Sequence, residues 1–364
     1  MKLIWLFLSL LIFSSPIYAQ IPTYKIGALL HLTGEFPMQG KAFREGAELA
    51  VDEINNNYQV LGYKVNLILE DSQYKPITAN LVAKKVLNID NVDAGIIGTI
   101  TEAMSVGAAF EAAKTPLMVL WDSAPELDDI GEYTFAIGPW APSTGEGAAE
   151  FSAKKLRAKT AVIIGTSNPW PEAVSKVFTE EFTKAGGKVI GQFMAEPSEA
   201  DFRTIITKAQ QLSPDVFYCP VPNNIITFFK QLKQSNIKVP VITGDNLTDT
   251  IIKELGSAAE GIYQTQVSDP NSEQTKSFAN AYQDKFHKKP EMILFSAWAY
   301  DSIKLLASAL ALAQGDRLVA NKNLYKIQNY SGASGIISIN KNGSSPTRVK
   351  MFQIKKQKLE LLKN

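Results

Sequence analysis

Cysteine and histidine are nearly absent from this chain of 364 residues. It has one cysteine, Cys219, and two histidines, His31 and His287. A single cysteine cannot form an intramolecular disulfide, so stability must come from packed cores, which a chain of this length can provide. Cys219 follows the apolar run Val216-Phe217-Tyr218 and is predicted to be a small core residue rather than a nucleophile.

An excess of charge of one sign is also missing. The chain has 37 Lys and Arg against 36 Asp and Glu, and removing an N-terminal leader that contains Lys2 leaves the two signs equal. A protein that binds nucleic acid usually carries a basic stripe or patch. We therefore expect no nucleic-acid partner.

The motifs of several common catalytic sites do not occur. The sequence contains no G-x-S-x-G, no Walker A motif and no H-E-x-x-H, which in other proteins mark a serine nucleophile, a phosphate loop and a zinc site. Its cysteine and histidines do not have metal-ligand spacing. The sequence thus predicts a protein that is not an enzyme and has no metal or cofactor. Turnover of a candidate ligand would favour the enzyme alternative.

The first nineteen residues predict a signal peptide. Lys2 is followed by the apolar run Leu3–Phe13, which is too short to span a bilayer, and the segment Ser14–Ala19 ends in a small residue. We expect export of the chain and cleavage after Ala19. The alternative is a buried N-terminal helix.

After this leader, the sequence alternates between predicted strands and predicted helices. Tyr24–Leu30 is a continuous apolar strand, residues 31–40 form a loop, and an apolar stripe with helical spacing follows from Phe43 to Ile54. Further strands are predicted at Tyr63–Glu70, Ala94–Ile97, Pro116–Leu120, Tyr133–Ile137, Thr160–Gly165, Val189–Met194, Asp215–Cys219, Val239–Thr243 and Gly261–Gln266. This pattern is typical of an α/β protein with parallel sheets.

Helices are predicted between these strands and after them. They cover Pro76–Asn88, Ala103–Lys114, Ser143–Lys155, Pro171–Ala185, Asp201–Leu212, Asn224–Ser235, Asp249–Leu255, Glu273–His287, Met292–Ala313 and Val319–Gln328. Gly138–Pro142 and Asp269–Asn271 interrupt the alternation, which indicates two crossings between two similarly built lobes. Ile336–Ile339 and Val349–Ile354, around Asn342-Gly343, predict a C-terminal hairpin.

Eight segments in register carry a resemblance to a known family. They include IGALLHLTGEFPMQGKAFREGAELAVDEIN, VNLILEDSQYKP, TPLMVLWDSAPEL, DFRTIITKAQQLSPDVFY and FSAWAYDSIKLLASAL. In these segments the chain resembles the type I periplasmic binding proteins of the branched-chain amino acid and amide group. The resemblance covers nearly the whole chain after the leader.

The resemblance implies two Rossmann-like lobes joined by three crossover strands, with a ligand cleft between the lobes. The first lobe would contain residues 20–137 and 269–334, and the second residues 138–268 and 335–364. The third crossing would then lie near Gly332–Gly335. The implied protein is a periplasmic monomer that binds a small molecule and delivers it to the membrane subunits of an ABC permease.

Family members hold the ligand with loops at the carboxyl ends of strands. By position, the resemblance implies ligand contacts from Gln39, Thr101, Glu102, Trp121, Ser123, Trp170, Asn223 and Asp245. Ser123 matches a hydroxyl residue that holds a ligand carboxylate. Asp245 matches an acid that holds an ammonium group, and Trp170 matches an aromatic residue that covers the ligand.

Glu102 and Trp121 depart from the pattern of the amino-acid binders. Glu102 replaces a common serine, and its negative charge would repel a ligand carboxylate in a closed cleft by about 4 kcal/mol at 4 Å. Trp121 occupies space that an aliphatic ligand would need. Two acids and two tryptophans would suit an amine or quaternary ammonium. Alternatively, a protonated Glu102 could donate a hydrogen bond to the ligand, or Glu102 could accept hydrogen bonds from the N–H groups of an amide.

Other roles remain open for several of these residues. Glu102 can point outward, where the dipole of its helix favours an acid, and Trp121 can belong to the core. Trp170 is expected to contact ligand or lobe. Trp140 lines the cleft or packs the hinge, and Trp298 is expected in core or hinge packing.

The sequence thus predicts a solute-binding protein whose two lobes close on a small polar molecule such as an amino acid, an amide or a related amine. A periplasmic sensor that docks on a receptor would have the same fold. Permease and ATPase subunits encoded beside this chain would favour transport.

Overall fold

The computed structural model describes residues 21–123, 125–139, 141–244, 246–267, 269, 272–345 and 349–362. The predicted signal peptide, Trp140 and Asp245 lie outside these residues. The strands are β1 Thr23–Leu30, β2 Lys64–Asp71, β3 Ala94–Ile97, β4 Leu117–Val119, β5 Thr134–Ala136, β6 Thr160–Thr166, β7 Lys188–Ala195, β8 Val216–Tyr218, β9 Val241–Thr243, β10 Tyr263–Gln266, β11 Tyr330–Gly332, β12 Gly335–Ile337, β13 Lys350–Lys355 and β14 Lys358–Leu361.

The helices alternate with these strands, as predicted. They are α1 Pro37–Asn56, α2 Tyr58–Leu61, α3 Pro76–Asn88, α4 Ile100–Ala112, α5 Ala141–Glu150, α6 Pro169–Lys184, α7 Arg203–Gln211, α8 Ile225–Gln234, α9 Asp249–Leu255, α10 Glu273–Phe286, α11 Ile293–Leu312 and α12 Arg317–Leu324. A π-helical turn continues α5 over Phe151–Lys155, and 3-10 turns cover Pro125–Asp129 and Gly256–Ala258. The helix α1 begins at Pro37, so Gln39 lies in its first turn rather than in the predicted loop.

Two sheets organise the described part of the chain. The first has the order β2-β1-β3-β4-β5, and all its neighbours are parallel. The second contains the parallel strands β7-β6-β8-β9-β10 and extends beyond β10 to β13 and β14, which run antiparallel. The parallel parts of the two sheets therefore share one strand order, which confirms the predicted α/β class with two similarly built lobes.

Both faces of each sheet are covered by packed helices. On the first sheet, Ile26, Ala28 and Leu30 of β1 face one core, while Leu29 belongs to the core on the other face. On the second sheet, Cys219 is fully buried. Because parallel strands between two layers of helices are buried on both faces, they appear in the sequence as continuous apolar runs.

Helix α11 is long and apolar enough to cross a membrane by length and composition alone, but 72% of that stretch is buried inside the protein. It makes the most extensive helix contact of the first lobe, with α1. Gly46 of α1 lies against the backbone of Ser296, so a larger residue there would collide with it. Trp298 is 4% exposed in the first core, in agreement with its predicted packing role.

The C-terminal hairpin was predicted with the wrong partners. β12 pairs with β11, where Ser331 faces Ile336, and β13 pairs with β14 through a two-residue turn at Lys356 and Gln357. Both turn residues have positive φ, of 49° and 59°, as tight hairpin turns require. A turn does form at Asn342-Gly343, but it brings Ser344 beside Ala136 at the edge of the first sheet.

After β12 the chain stays in contact with the first sheet before it reaches the second. Ile337 and Ile339 pack in the core of the first sheet, and Ser344 pairs with β5. The chain joins the second sheet at β13, which pairs with β10. Gly332–Gly335 joins the paired strands β11 and β12, and the position of the third crossing stays a prediction.

Candidate functional site

The strand order creates one switch point in each sheet. In the first sheet the chain leaves β1 and β3 in opposite directions, and β6 and β8 are related in the same way in the second sheet. Ligands of open α/β sheets bind at the carboxyl ends of strands at such points. The predicted residues that the structure describes follow these strand ends, namely Gln39 after β1, Thr101 and Glu102 after β3, Trp121 and Ser123 after β4, Trp170 after β6 and Asn223 after β8.

Glu102 lies in the first turn of α4 and is 1% exposed. Its Oε1 accepts a hydrogen bond from Ser72 Oγ at 2.5 Å, and its Oε2 lies 3.2 Å from Thr99 Oγ1 and 3.3 Å from His31 Nδ1. The side chain thus turns inward, not outward to solvent, and three polar neighbours compensate for burying its charge.

His31 directly follows β1 and is completely buried. With Nδ1 donating to the Glu102 carboxylate, which can only accept, Nε2 of the neutral imidazole is an acceptor. Nε2 has no hydrogen-bond partner within the described part of the chain. Gly98 permits this packing, since a Cβ there would lie 2.5 Å from the imidazole and 2.8 Å from Glu102 Oε2.

Trp121 is half-buried and contacts other aromatic rings rather than standing alone. Its ring centroid lies 5.3 Å from Phe36, 5.1 Å from Phe295 and 6.0 Å from His31. Phe36 is in turn 4.8 Å from Tyr74. The partly exposed rings of Phe36, Tyr74, Trp121 and Phe295 come from four separate segments, and we call this group the aromatic wall.

Asp122 and Ser123 follow the aromatic wall at the end of β4. Asp122 Oδ1 accepts a hydrogen bond of 2.8 Å from the backbone N–H of Ile100, at the start of α4. Burial, followed by the negative charge of Glu102, raises the pKa of Asp122 to about 6. Ser123 is fully buried, its N–H donates to the carbonyl of Pro139, and its Oγ has no partner among the described residues.

Thr101 and Gln39 lie at the margin of this region. Thr101 is exposed on α4, and its side chain is hydrogen-bonded to that of Tyr74. Burial, followed by the charges of Asp122, Glu102 and Glu35, raises the pKa of Tyr74 to about 12. Gln39 is half-buried in the first turn of α1.

In the second sheet, Trp170 and Asn223 lie at the switch point between β6 and β8. Trp170 is partly buried against the core of α5 and α6. Its indole also lies against Gly244, where a Cβ would meet the ring at 2.5 Å. Asn223 Oδ1 accepts a hydrogen bond of 3.4 Å from Thr166 Oγ1. These side chains follow strand ends of the second sheet, as predicted, whereas Asp245 lies outside the described residues.

Sequence reasoning missed several residues that the structure adds to the site. Tyr74 follows the end of β2, so the rule that located the other residues would have found it. Phe295 begins α11 and reaches the site only through tertiary packing. Phe36 stands in the first loop, where nothing in the local sequence separates a ligand-facing ring from a core ring.

The chain is similar to several known proteins over most of its length. The chain is 25% identical over 296 residues to the Leu/Ile/Val-binding protein BraC3 of Rhizobium johnstonii, which covers 79% of both chains. It is 25% identical to the solved leucine binding protein LivK of Thermotoga maritima, with a TM-score of 0.78 over 93% of this chain and 98% of that one. A solute binding protein of R. palustris in complex with benzoate shares the fold at 19% identity, with a TM-score of 0.76 over 93% and 95% of the two chains.

The match extends over nearly all of the chain. The family model described as periplasmic binding protein matches residues 23–358, and this span includes the parallel strands of both sheets and the loops at their switch points. The chain therefore belongs to the periplasmic binding protein family and is a solute-binding protein of the kind that serves ABC transporters.

Proposed function

We propose that this protein captures a small polar molecule, an amino acid, an amide or a related amine, between its two lobes and delivers it to an ABC permease. The observation that carries this proposal is the repeated strand order, which gives each sheet a switch point with polar and aromatic side chains at its carboxyl edge. Closure of one lobe on the other would be driven by ligand contacts that exist only in the closed form.

We divide the chain into a first lobe of residues 21–137 and 269–345 and a second lobe of residues 138–268 and 349–362. Sheet membership supports this division. The boundary predicted at residue 335 is moved because Ser344 pairs with Ala136. The mature protein is proposed to be a periplasmic monomer, with its leader removed after Ala19.

The ligand site is proposed to be formed by Gln39, Thr101, Glu102, Trp121, Ser123, Trp170, Asn223 and Asp245. Glu102 is assigned a supporting position, since its oxygens are engaged by Ser72, Thr99 and His31. Trp121 and Trp170 would contact the ligand from opposite lobes.

No chemical reaction is proposed for this protein. The thiol of Cys219 is buried, and burial raises its pKa, so it is not poised as a nucleophile. His31 donates to Glu102 inside the first lobe. Neither residue is therefore assigned a catalytic role.

A thermal-shift screen of the mature chain against amino acids, amides, urea and amines tests the binding role. A true ligand at 100 times its Kd should stabilise the protein by about 2.7 kcal/mol and raise its melting temperature. Trp170→Ala should reduce this increase without preventing folding. If no solute of any class raises the melting temperature, the proposed function is wrong.

A further inference from the structure

The aromatic wall presents partly exposed rings in mutual contact at the carboxyl edge of the first sheet. Phe36 meets Tyr74 and Trp121 edge to face, with interplanar angles of 89° in both pairs. Trp121 meets Phe295 at 69°. Edge-to-face packing holds each ring in a defined orientation, and the negative π faces of such rings attract cations.

Carboxylates surround this wall. Asp122 directly follows Trp121 in the chain, and Glu102 lies in the first turn of α4. Burial is the largest cause of the raised pKa of Tyr74 and of Asp122. The charges of Asp122, Glu102 and Glu35 add to the rise at Tyr74, and those of Glu102 and Glu126 add to the rise at Asp122. These shifts agree with the geometry, since they place several negative charges within reach of the same rings.

The N-terminus of α4, which would otherwise attract a ligand carboxylate, is occupied by the chain itself. The N–H of Ile100 donates to Asp122 Oδ1 at 2.8 Å, and the N–H of Glu102 donates to Thr99 Oγ1 at 3.2 Å. A carboxylate ligand would have to displace Asp122 and approach Glu102. This end of the first lobe therefore disfavours anions.

Two fully buried acceptors lie at the same edge of the sheet without a partner in the described part of the chain. They are His31 Nε2 and Ser123 Oγ. The imidazole of His31 is 5.6 Å from Tyr74 and 6.0 Å from Trp121, measured between ring centroids. A buried acceptor without a partner is costly, and a ligand that carries N–H groups would satisfy it.

We propose that the first lobe binds the cationic, N–H-bearing group of an aromatic or aralkyl amine or amidine, and that it does not bind the carboxylate of a free amino acid. The inference rests on the proposed solute-binding function and names its ligand class. The aromatic wall contacts the flat body and the positive charge of the ligand, and Asp122 pairs with that charge. His31 Nε2 accepts one of its N–H groups.

Benzamidine and benzoate provide a matched pair for the test, because they have nearly the same shape and opposite charge. Calorimetry on the mature chain at pH 7.5 should give benzamidine a Kd at least tenfold lower than that of benzoate. Benzylamine should likewise bind more tightly than leucine. A lower Kd for benzoate or leucine than for the paired cation would overturn the inference.

Variants connect the effect to the named residues. Asp122→Asn keeps an acceptor for the Ile100 N–H but removes the charge, and it should weaken benzamidine at least tenfold without weakening benzoate. Asp128→Asn, which removes the charge of an exposed residue of the following turn, is the matched control and should leave both affinities unchanged. Trp121→Leu provides a second test and should weaken benzamidine by a similar factor.

The outcomes also separate this inference from the proposed function. If every amine and amidine in the thermal-shift screen fails to bind while a carboxylate or a neutral amide binds, the inference fails and the solute-binding role stands. If no solute of any class binds, both fail. Equal loss of benzamidine binding in Asp122→Asn and Asp128→Asn would contradict the role given to Asp122.

Discussion

The side chain of Glu102 is buried in the first lobe, where three side-chain contacts compensate for its negative charge. Ser72 and Thr99 come from neighbouring loops, and His31 directly follows the first strand. The first turn of a helix also favours an acid through the helix dipole. The residue that departs from the pattern of the amino-acid binders is thus part of the polar support beneath the aromatic wall.

Glu102→Gln should lower the free energy of unfolding by about 1–3 kcal/mol. The amide N–H groups of Gln would face the hydroxyl and imidazole groups that now donate to the carboxylate, so hydrogen bonds would be lost. Urea denaturation of the unliganded protein measures this loss. Glu126→Gln makes the same chemical change at an exposed position and should alter stability by no more than about 0.5 kcal/mol. Equal effects of the two variants would contradict the hydrogen-bonded role of Glu102.

Helix α11 connects the core of the first lobe to the segment that follows β11. Asp301 of α11 accepts hydrogen bonds from the N–H groups of Ala333 and Ser334 at 2.9 and 2.8 Å, and from Ser334 Oγ at 2.6 Å. Gly332 is required beside it, since a Cβ there would lie 2.5 Å from Asp301 Oδ2. The carboxylate therefore holds this loop against α11.

Burial raises the pKa of Asp301 from 3.8 to about 6, against the hydrogen bonds that lower it. Between these values the folded protein binds more protons at this site than the unfolded chain, so this contribution to stability falls as pH rises from about 4 to 6. The stability difference between the wild type and Asp301→Asn should shrink by about 2 kcal/mol between pH 4.5 and pH 7. Urea denaturation at pH 4.5 and pH 7 measures it.

Asp128→Asn, at an exposed position, is the control for this pH dependence. Its stability should differ from that of the wild type by nearly the same amount at both pH values, because an exposed carboxyl is in contact with water in both the folded and the unfolded chain. A constant difference between wild type and Asp301→Asn across the range would show that Asp301 does not titrate with a raised pKa.

At the scale of the whole molecule, the two sheets repeat one strand order and are joined by connections after β5, β10 and β12. Each lobe has its own cores on both faces of its sheet. Independent cores allow each lobe to move as a rigid body, so a change of shape concentrates in the connections.

Ligand binding should therefore close the molecule without changing its secondary structure. Small-angle scattering with saturating ligand should show a smaller radius of gyration than without it, while far-ultraviolet circular dichroism stays the same. Trp170→Ala, which removes an aromatic contact of the second lobe, should need more ligand for the same decrease. An unchanged radius at saturation would contradict the hinge mechanism.

Much of the fold could be predicted because the information is local. The bounds predicted for α3, β3 and α9 agree with the structure to the residue, since apolar periodicity, an early Pro and a polar loop all lie within one short segment. The C-terminal pairing was wrong because strand partners are chosen across the chain. Val349–Ile354 overlaps β13, but β13 pairs with β10 and β14 and not with the predicted partner Ile336–Ile339.

The site divides in the same way. The sequence by itself determined the α/β class, the repeated unit and the strand ends from which the site is built, because these follow from period and chain order. Only the tertiary structure decided that Glu102 turns inward to His31, that Asp122 occupies the start of α4, and that Phe295 joins the aromatic wall. These side chains lie far apart in the chain. Their contacts depend on burial and hydrogen bonding that no local segment specifies.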